Sequence, residues 1–328
     1  MSEDGRWVIA VACLIYSACL ALAVTTYGHI HVAATGLLLA SAGACGPLQT
    51  GGISSRLPTI VASDQRSQRK AQGWDVATYG IGGTIGPSMV AGLAAWATPK
   101  AAALSLALAS SLAAIAIFRL PRSAPAHGGN PSSVPGAWQT IAMMLGYGPL
   151  RRTLYMTMLV AFSMAALPIA AVHMAPLLGA KAASAAVLTA AYGLGNLAGS
   201  LVLMQRRLKG EPDPLVTSIA TVVIGGLTFI TLSQSLALAT VAYVAAGAIN
   251  AAFFAATLAA RSEYAPPRAR GQTFLWVAAM KITASSAGTA AAGFLTAHGS
   301  RFPLYSSICI TILCVLAPIL DRRLSPAM

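Results

Sequence analysis

Apolar stretches of about twenty residues follow one another along most of this chain, and short polar connections separate them. A helix needs about 20 residues to cross a hydrocarbon layer that is roughly 30 Å thick. Because backbone amides find no water in that layer, each stretch should satisfy its own amides as an α-helix. The pattern therefore predicts an all-α fold with ten transmembrane helices, in residues 7–27, 33–53, 74–97, 101–120, 153–178, 184–204, 215–233, 236–259, 272–297 and 302–320.

The composition agrees with this prediction. Charged residues make up 9% of the chain and hydrophobic residues 56%. In a soluble domain about 25% of the residues are charged. A soluble fold is therefore excluded, and the lipid bilayer is the expected environment of the protein.

The basic residues are concentrated at one end of the predicted helices. Of the 21 Lys and Arg, only Lys100, Lys181 and Arg301 fall on the poorer side, and Lys281 lies within a stretch. The positive-inside rule then places both termini and the long connections in the cytoplasm, and we expect the protein in the plasma membrane. The net charge of +13 is thus a topology signal. No nucleic-acid partner is expected, because such a partner needs one basic surface with interleaved aromatic residues.

The first stretch has a second interpretation. Ala21, Leu22 and Ala23 form a small-x-small site after an apolar run, as a cleaved signal peptide would. The run exceeds the usual length of about 7 to 15 residues, and the leader carries acidic as well as basic residues. A retained helix is therefore favoured.

Cysteine and histidine do not indicate a metal site. The five cysteines lie within the stretches and form no C-x-x-C pair, so we expect them to pack as small apolar side chains. His29 and His31 form an H-x-H pair, but a metal site would need a third ligand. We expect no metal and no cofactor.

Residues 121–150 are rich in Pro, Gly, Ser and Ala and divide the chain into residues 1–120 and 151–328. This composition favours a flexible linker, with four predicted helices before it and six after it. The two parts resemble each other at an offset of about two hundred residues: residues 69–73, 76–77 and 91–92 correspond to 268–271, 277–278 and 292–293. The alternative is chance similarity between helices rich in Ala and Gly. A true repeat predicts that the third and ninth helices occupy equivalent places about an axis along the membrane normal.

The third stretch contains Gly82, Gly83, Gly86 and Pro87, followed by Gly92. Pro87 removes one helical hydrogen bond and its ring presses on the preceding turn, so a bend is expected there. Gly82 and Gly86 are four residues apart and open a groove for a neighbouring helix. This motif is either a hinge that controls leakage or a packing device.

With this motif, the paired halves and the central connection, the chain resembles the major facilitator superfamily, and the glycine-proline motif resembles that of its antiporter branch. Aligned in this way, the ten stretches match helices three to twelve of the family, and the first two helices have no counterpart. In the fourth-helix motif Gly46 stands where the family usually has Arg, and Gln49, Gly51 and Gly52 are similar.

The resemblance implies a secondary transporter that exports small organic molecules by alternating access. Two alternatives to a transporter stay open. In the first, the chain would be a truncated remnant or have a wrongly assigned start, and would not transport. In the second, it would be an intramembrane enzyme or receptor, which is disfavoured because the stretches contain no His/Asp/Glu cluster, Ser/Lys dyad or metal-ligand spacing.

Lys281 is the main candidate for a functional side chain. If its helix begins near residue 272, Lys281 lies about 13 Å deep at a rise of about 1.5 Å per residue. An ammonium there costs about 2.5 to 3.5 kcal/mol on insertion scales, so it should face a wet cavity or a partner. Ser285, Gly288 and Ala292 continue its face and suit a cavity or a close helix. Alternatively, a later helix start lets the side chain snorkel to the headgroups.

The remaining candidates for substrate contact are polar side chains within the stretches. Each of them can hydrogen-bond a solute, and the more common alternative is a bond to a neighbouring helix. They are Tyr79, Gln49, Asn196, Asn250 and His173. No acidic residue is predicted to lie deep in a stretch, so a membrane-embedded carboxylate for proton coupling is not evident.

The absence of counterparts to two family helices predicts an incomplete cavity. A half of four helices against a half of six should leave a lateral gap beside Tyr79, Gly82 and Gly86. Unsatisfied polar groups at membrane depth are unfavourable. A second copy of the chain, as a homo-oligomer, or an omitted segment would have to fill this gap.

Overall fold

The computed structural model describes residues 5–62, 64–120, 136–181, 184–206 and 208–324. Its regular elements over these residues are helices, as predicted. The first half contains α1 Arg6–Thr26, α2 Val32–Ser54, α3 Leu57–Ile60, α4 Gln65–Trp96 and α5 Pro99–Ile117. The second half contains α6 Ala137–Gly146, α7 Gly148–Met164, α8 Leu167–Leu177, α9 Ala185–Gln205, α10 Pro212–Leu232, α11 Leu236–Tyr264, α12 Arg270–Leu295 and α13 Phe302–Leu324.

Eight helical segments of the described residues are long and apolar enough to cross a membrane, with α7 and α8 counted together. The helices α4 and α12 are long enough, at 32 and 26 residues, but are more polar. They correspond to the third and ninth predicted stretches. The membrane fold is thus confirmed, whereas the count of ten crossings stays a prediction.

The helix α4 begins nine residues earlier than its apolar stretch. Asp64 caps it, because its carboxylate accepts a hydrogen bond of 2.8 Å from the backbone N–H of Ser67. This bond holds the pKa of the Asp64 carboxyl below its ordinary value. The early start adds a polar segment to α4 and places Asp75 three turns inside the helix.

In the second half, α9 and α11 cross in very close contact. A Cβ atom on Gly195 would lie 1.9 Å from the carbonyl oxygen of Val244, and one on Gly247 would lie 2.0 Å from that of Tyr192. Only glycine lets the two backbones approach so closely. Gly195 and Gly247 therefore serve the close packing of α9 and α11.

At one end of the second half, buried ion pairs join α7, α10 and α13. Arg152 donates to both carboxylate oxygens of Asp213 at 2.9 to 3.1 Å and to Asp321 at 2.8 Å. Arg322 donates to Asp213 from the other side. We call this end of the molecule, where α1 begins and α13 ends, the basic end.

Part of the segment predicted as a flexible linker is folded. Within 121–150, residues 137–146 form α6, and residues 121–135 lie outside the described residues. Met144 is 1% exposed and packs with Leu150 and Val277. The linker prediction is therefore wrong for 137–150, because the apolar face of α6 is covered by α7 and α12.

Candidate functional site

The two halves meet at the basic end through a side-chain contact between α4 and α11. Arg69 Nε lies 3.0 Å from Glu263 Oε1, and the side chain of Arg69 is 6% exposed. The same guanidinium donates to the carbonyl oxygens of Leu208 and Gly210, both at 2.8 Å. One side chain of the first half thus holds both α11 and the connection between α9 and α10.

Close backbone contacts surround this ion pair. A Cβ atom on Gly73 of α4 would lie 2.7 Å from the carbonyl oxygen of Leu203 in α9. One on Gly51 of α2 would lie 2.9 Å from the carbonyl oxygen of Phe274 in α12. The helices of the two halves therefore touch backbone to backbone at this end.

Three charged side chains lie behind this contact, between the halves. Asp75 and Arg261 are 9% and 3% exposed, and each interacts electrostatically with the other. Lys281 interacts with Arg261. We call these three residues, with the rings of Tyr79 and Phe254, the interbundle cluster.

The ammonium of Lys281 lies over an aromatic ring. Its Nζ atom is 4.0 Å from the centroid of Phe254 in α11, a distance at which a cation is attracted to the ring. The ring of Tyr79 meets Phe254 edge-on at 5.0 Å. Lys281 lies eleven residues after the start of α12, about 16 Å along the helix. The contact with Phe254 agrees with a position between the halves and disfavours the snorkelling alternative.

Ser285 faces a different neighbour. Its hydroxyl points to the carbonyl oxygen of Ala161 in α7 at 3.5 Å. A Cβ atom on Gly288 would lie 2.2 Å from the carbonyl oxygen of Phe162. The small-residue face of α12 therefore packs against α7. Of the two predicted uses of this face, a cavity or a close neighbouring helix, these contacts favour the close helix. The expectation that Ser285 lies on the same wall as Lys281 is not supported by these contacts.

Tyr79 and Gln49 belong to the first half. The hydroxyl of Tyr79 lies 3.1 Å from that of Ser54 in α2, and its ring packs on Phe254. Tyr79 is thus half-buried at the interface, and the expectation that it borders a lateral gap is wrong for this residue. Gln49 is half-buried in α2, and its amide nitrogen has no hydrogen-bond partner among the described residues.

The two asparagines contact each other. Asn250 in α11 donates a hydrogen bond of 3.2 Å to Asn196 in α9. This bond joins two helices of the same half, as the structural alternative expects. His173 is half-buried in α8. The residues of the interbundle cluster lie in other helices, α4, α11 and α12.

The glycine motif lies in an uninterrupted α4. Among the described residues, a Cβ atom on Gly82, Gly83 or Gly86 would have no neighbour within 4 Å. Open space beside Gly82 and Gly86 agrees with the predicted gap at these two positions. Pro87 and Gly92 are described only as backbone positions of the helix, and their surroundings lie outside the described residues.

This open space gives a matched pair of variants. Gly80, two residues earlier, is tightly packed, since its Cβ would lie 2.6 Å from the hydroxyl of Ser200. We expect Gly82→Ala to raise the melting temperature, because alanine in a helix is favoured by about 1 kcal/mol. Gly80→Ala should lower it. Thermal unfolding of the purified proteins in detergent measures both, and a fall with Gly82→Ala would show that its groove is occupied.

Comparison with known proteins identifies the family. The family model of the Major Facilitator Superfamily matches residues 153–327, a little over half of the chain. The chain belongs to the major facilitator superfamily. It is accordingly an integral membrane protein and a secondary transporter of small molecules, and not an enzyme. No curated protein sequence matches the chain.

Solved structures of the same superfamily share the fold. The human organic anion transporter MFSD10 has a TM-score of 0.72 and 15% identity, over 96% of this chain and 77% of that chain. The E. coli fucose:proton symporter FucP has a TM-score of 0.66 and 14% identity, over 99% and 84%. The proton:xylose symporter XylE has a TM-score of 0.64 and 15% identity, over 95% and 78%. At these identities the likeness establishes the fold alone.

Sequence reasoning missed several residues of this major facilitator interface. The apolar stretch that begins at residue 74 puts Asp75 at its edge, whereas in the structure Asp75 lies ten residues inside α4 and is buried. The hydropathy pattern likewise assigns Arg69, Glu263 and Arg261 to loops. Asp64 before Gln65 is a capping signal that could have extended α4 and moved Asp75 inward.

Proposed function

We propose that the protein exports small organic molecules across the plasma membrane by alternating access, with its basic end in the cytoplasm. The observation that carries this proposal is the closed contact between the halves at the basic end, made by Arg69 and Glu263. A transporter needs a contact that forms and breaks as the halves rock. An ion pair with a partly exposed partner is suited to this, because water can replace its bonds when the halves separate.

The charge distribution supports the orientation. Arg56, Arg69, Arg152 and Arg322 belong to the basic end, which the positive-inside rule assigns to the cytoplasm. In this orientation the cytoplasmic side is closed, and the interbundle cluster lies on the outer side of the closed contact. A second copy of the chain beside Gly82 and Gly83 would cover the open face of α4.

Transport itself is tested with reconstituted vesicles. Proteoliposomes are loaded with radiolabelled benzoate, fucose or xylose, and the release of label is measured. It is compared with release from protein-free liposomes loaded in the same way, and with uptake under the opposite gradient. Export predicts release of at least one of these solutes above the protein-free rate. Absence of release and uptake for all three would favour the non-transporting remnant.

The contact at the basic end is tested by reversing its charges. We expect Arg69→Glu and Glu263→Arg each to reduce transport at least about tenfold, because like charges then oppose the closed state by more than about 1.4 kcal/mol. The double variant should recover part of the rate. Arg66→Glu, on the exposed side of the same helix, is the control with the same charge change.

Membrane abundance and melting temperature are measured for all four variants. Equal losses in Arg66→Glu and Arg69→Glu would assign the effect to surface charge alone. Full transport in both single variants would show that the ion pair has no part in the cycle.

A further inference from the structure

The charges of the interbundle cluster do not balance. Arg261 and Lys281 are two cations, and among the described residues Asp75 is the carboxylate that interacts with Arg261. Among the described residues, none of these three makes an ion pair within 4.0 Å, and Lys281 makes no hydrogen bond. One Asp75 oxygen and the Arg261 Nε atom are buried without a partner. The cluster therefore carries one uncompensated positive charge.

An uncompensated charge in such a place is costly unless something binds it. Removing an ion from water is unfavourable when no partner replaces the water. The aromatic ring under Lys281 replaces only part of that lost hydration. Arg261 adds repulsion, since it has the same sign as Lys281. An anion next to Lys281 would offset both the lost hydration and the repulsion from Arg261.

Lys281 is not fully enclosed by the protein. Phe254 covers one side of the ammonium at 4.0 Å, but Lys281 remains partly exposed. On the side of α2, Gly46 lies beside the next residue, Ile282, where a Cβ would be 3.6 Å from its side chain. Phe254 and Tyr79 form an apolar wall next to the charge. A cation beside an aromatic wall fits a molecule that has both an anionic group and an apolar body.

We propose that the transported substrate is an organic anion, whose negatively charged group binds Lys281 within the field of Arg261 and whose apolar body packs against Phe254 and Tyr79. This inference rests on the proposed transport function for its biological meaning. Binding is measured without a gradient, however, so a failure to bind and a failure to transport are separate results.

The test uses three compounds that each carry one anionic group on a benzene ring, and a neutral counterpart of each. Benzoate, benzenesulfonate and phenyl phosphate are compared with benzamide, benzenesulfonamide and phenol. The full-length protein is purified in detergent, and the rise in melting temperature is measured against ligand concentration. We expect at least one anion to stabilise the protein and its neutral counterpart not to do so, since only a ligand that binds the folded state raises the melting temperature.

Variants assign the binding to Lys281. Lys281→Gln should weaken the binding of the stabilising anion at least about tenfold, which is the loss of one charge-assisted hydrogen bond. Lys281→Arg should retain most of it. Lys100→Gln removes a charge from the exposed start of α5 and should leave the affinity unchanged. Circular dichroism and membrane yield confirm that each variant is folded.

Three outcomes would overturn the proposal. Stabilisation by none of the three anions would do so, as would equal affinity in Lys281→Gln and the unaltered protein. Equal stabilisation by inorganic phosphate and phenyl phosphate would assign the site to an inorganic anion. Binding that depends on Lys281 without any vesicle transport would keep the anion site and contradict the exporter.

Discussion

Gly195→Ala is expected to destabilise the second half by at least about 3 kcal/mol, at the upper end of the cost of overpacking. The added Cβ would lie 1.9 Å from the carbonyl oxygen of Val244. That oxygen belongs to the backbone of α11 and cannot rotate away as a flexible side chain would. The two helices must therefore separate along a contact that also includes Gly199 and Gly247. Thermal unfolding in detergent and membrane yield are the measurements.

Gly225→Ala is the matched control, because it lies in a helix of the same half and its Cβ would meet nothing within 4 Å in the part of the chain that the structure describes. Both substitutions gain the same helix propensity of about 1 kcal/mol, so the difference between them isolates the contact. Equal melting temperatures for the two variants would show that α9 and α11 are further apart than described.

Arg152→Met is expected to cost about 3 kcal/mol, within the range for breaking a buried ion pair. Arg152 and Asp213 are 7% and 8% exposed, and the substitution leaves Asp213 with Arg322 as its remaining cation. Because a buried carboxylate loses solvation that one partner only partly replaces, most of the loss should come from Asp213. Replacing Asp213 by Leu as well should recover part of the stability, since it removes the buried carboxylate, and the Arg322 that then lacks its partner is 32% exposed.

Arg151→Met is the control at the neighbouring position. Arg151 also pairs with Asp321, but its side chain is 32% exposed, and exposed pairs contribute about 0 to 1 kcal/mol. The two variants are compared by thermal unfolding in the same detergent. An equal loss in both would mean that burial does not set the strength of these pairs.

The sequence could predict the helical membrane fold because the hydrophobicity of a membrane-spanning stretch is a sum over many residues. Each stretch has about twenty apolar side chains, as the bilayer requires, and one polar residue changes the sum only slightly. For the same reason the prediction is weakest in α4 and α12, where Arg, Gln, Asp75 and Lys281 lower the sum. Their helices begin in polar residues that a hydropathy pattern assigns to loops.

The partners of individual side chains could not be predicted in this way. Lys281 was recognised as an unusual residue, because a charge inside an apolar stretch has a cost that is visible without coordinates. Its contact with Phe254, 27 residues earlier in the chain, depends on how α11 and α12 are rotated about their axes. Ser285 shows the same limit, since the helical face it shares with Lys281 in sequence turns toward α7.

What the sequence by itself determined is the environment, the helices and the bias of charge toward one end, since these follow from composition and local periodicity. Only the tertiary structure decided which charges meet. Arg69 and Glu263 are 194 residues apart, and Asp75 and Arg261 are similarly distant. They come together because glycines at Gly51 and Gly73 let helices of the two halves touch backbone to backbone. Such contacts depend on the packing of whole helices, which no local pattern encodes.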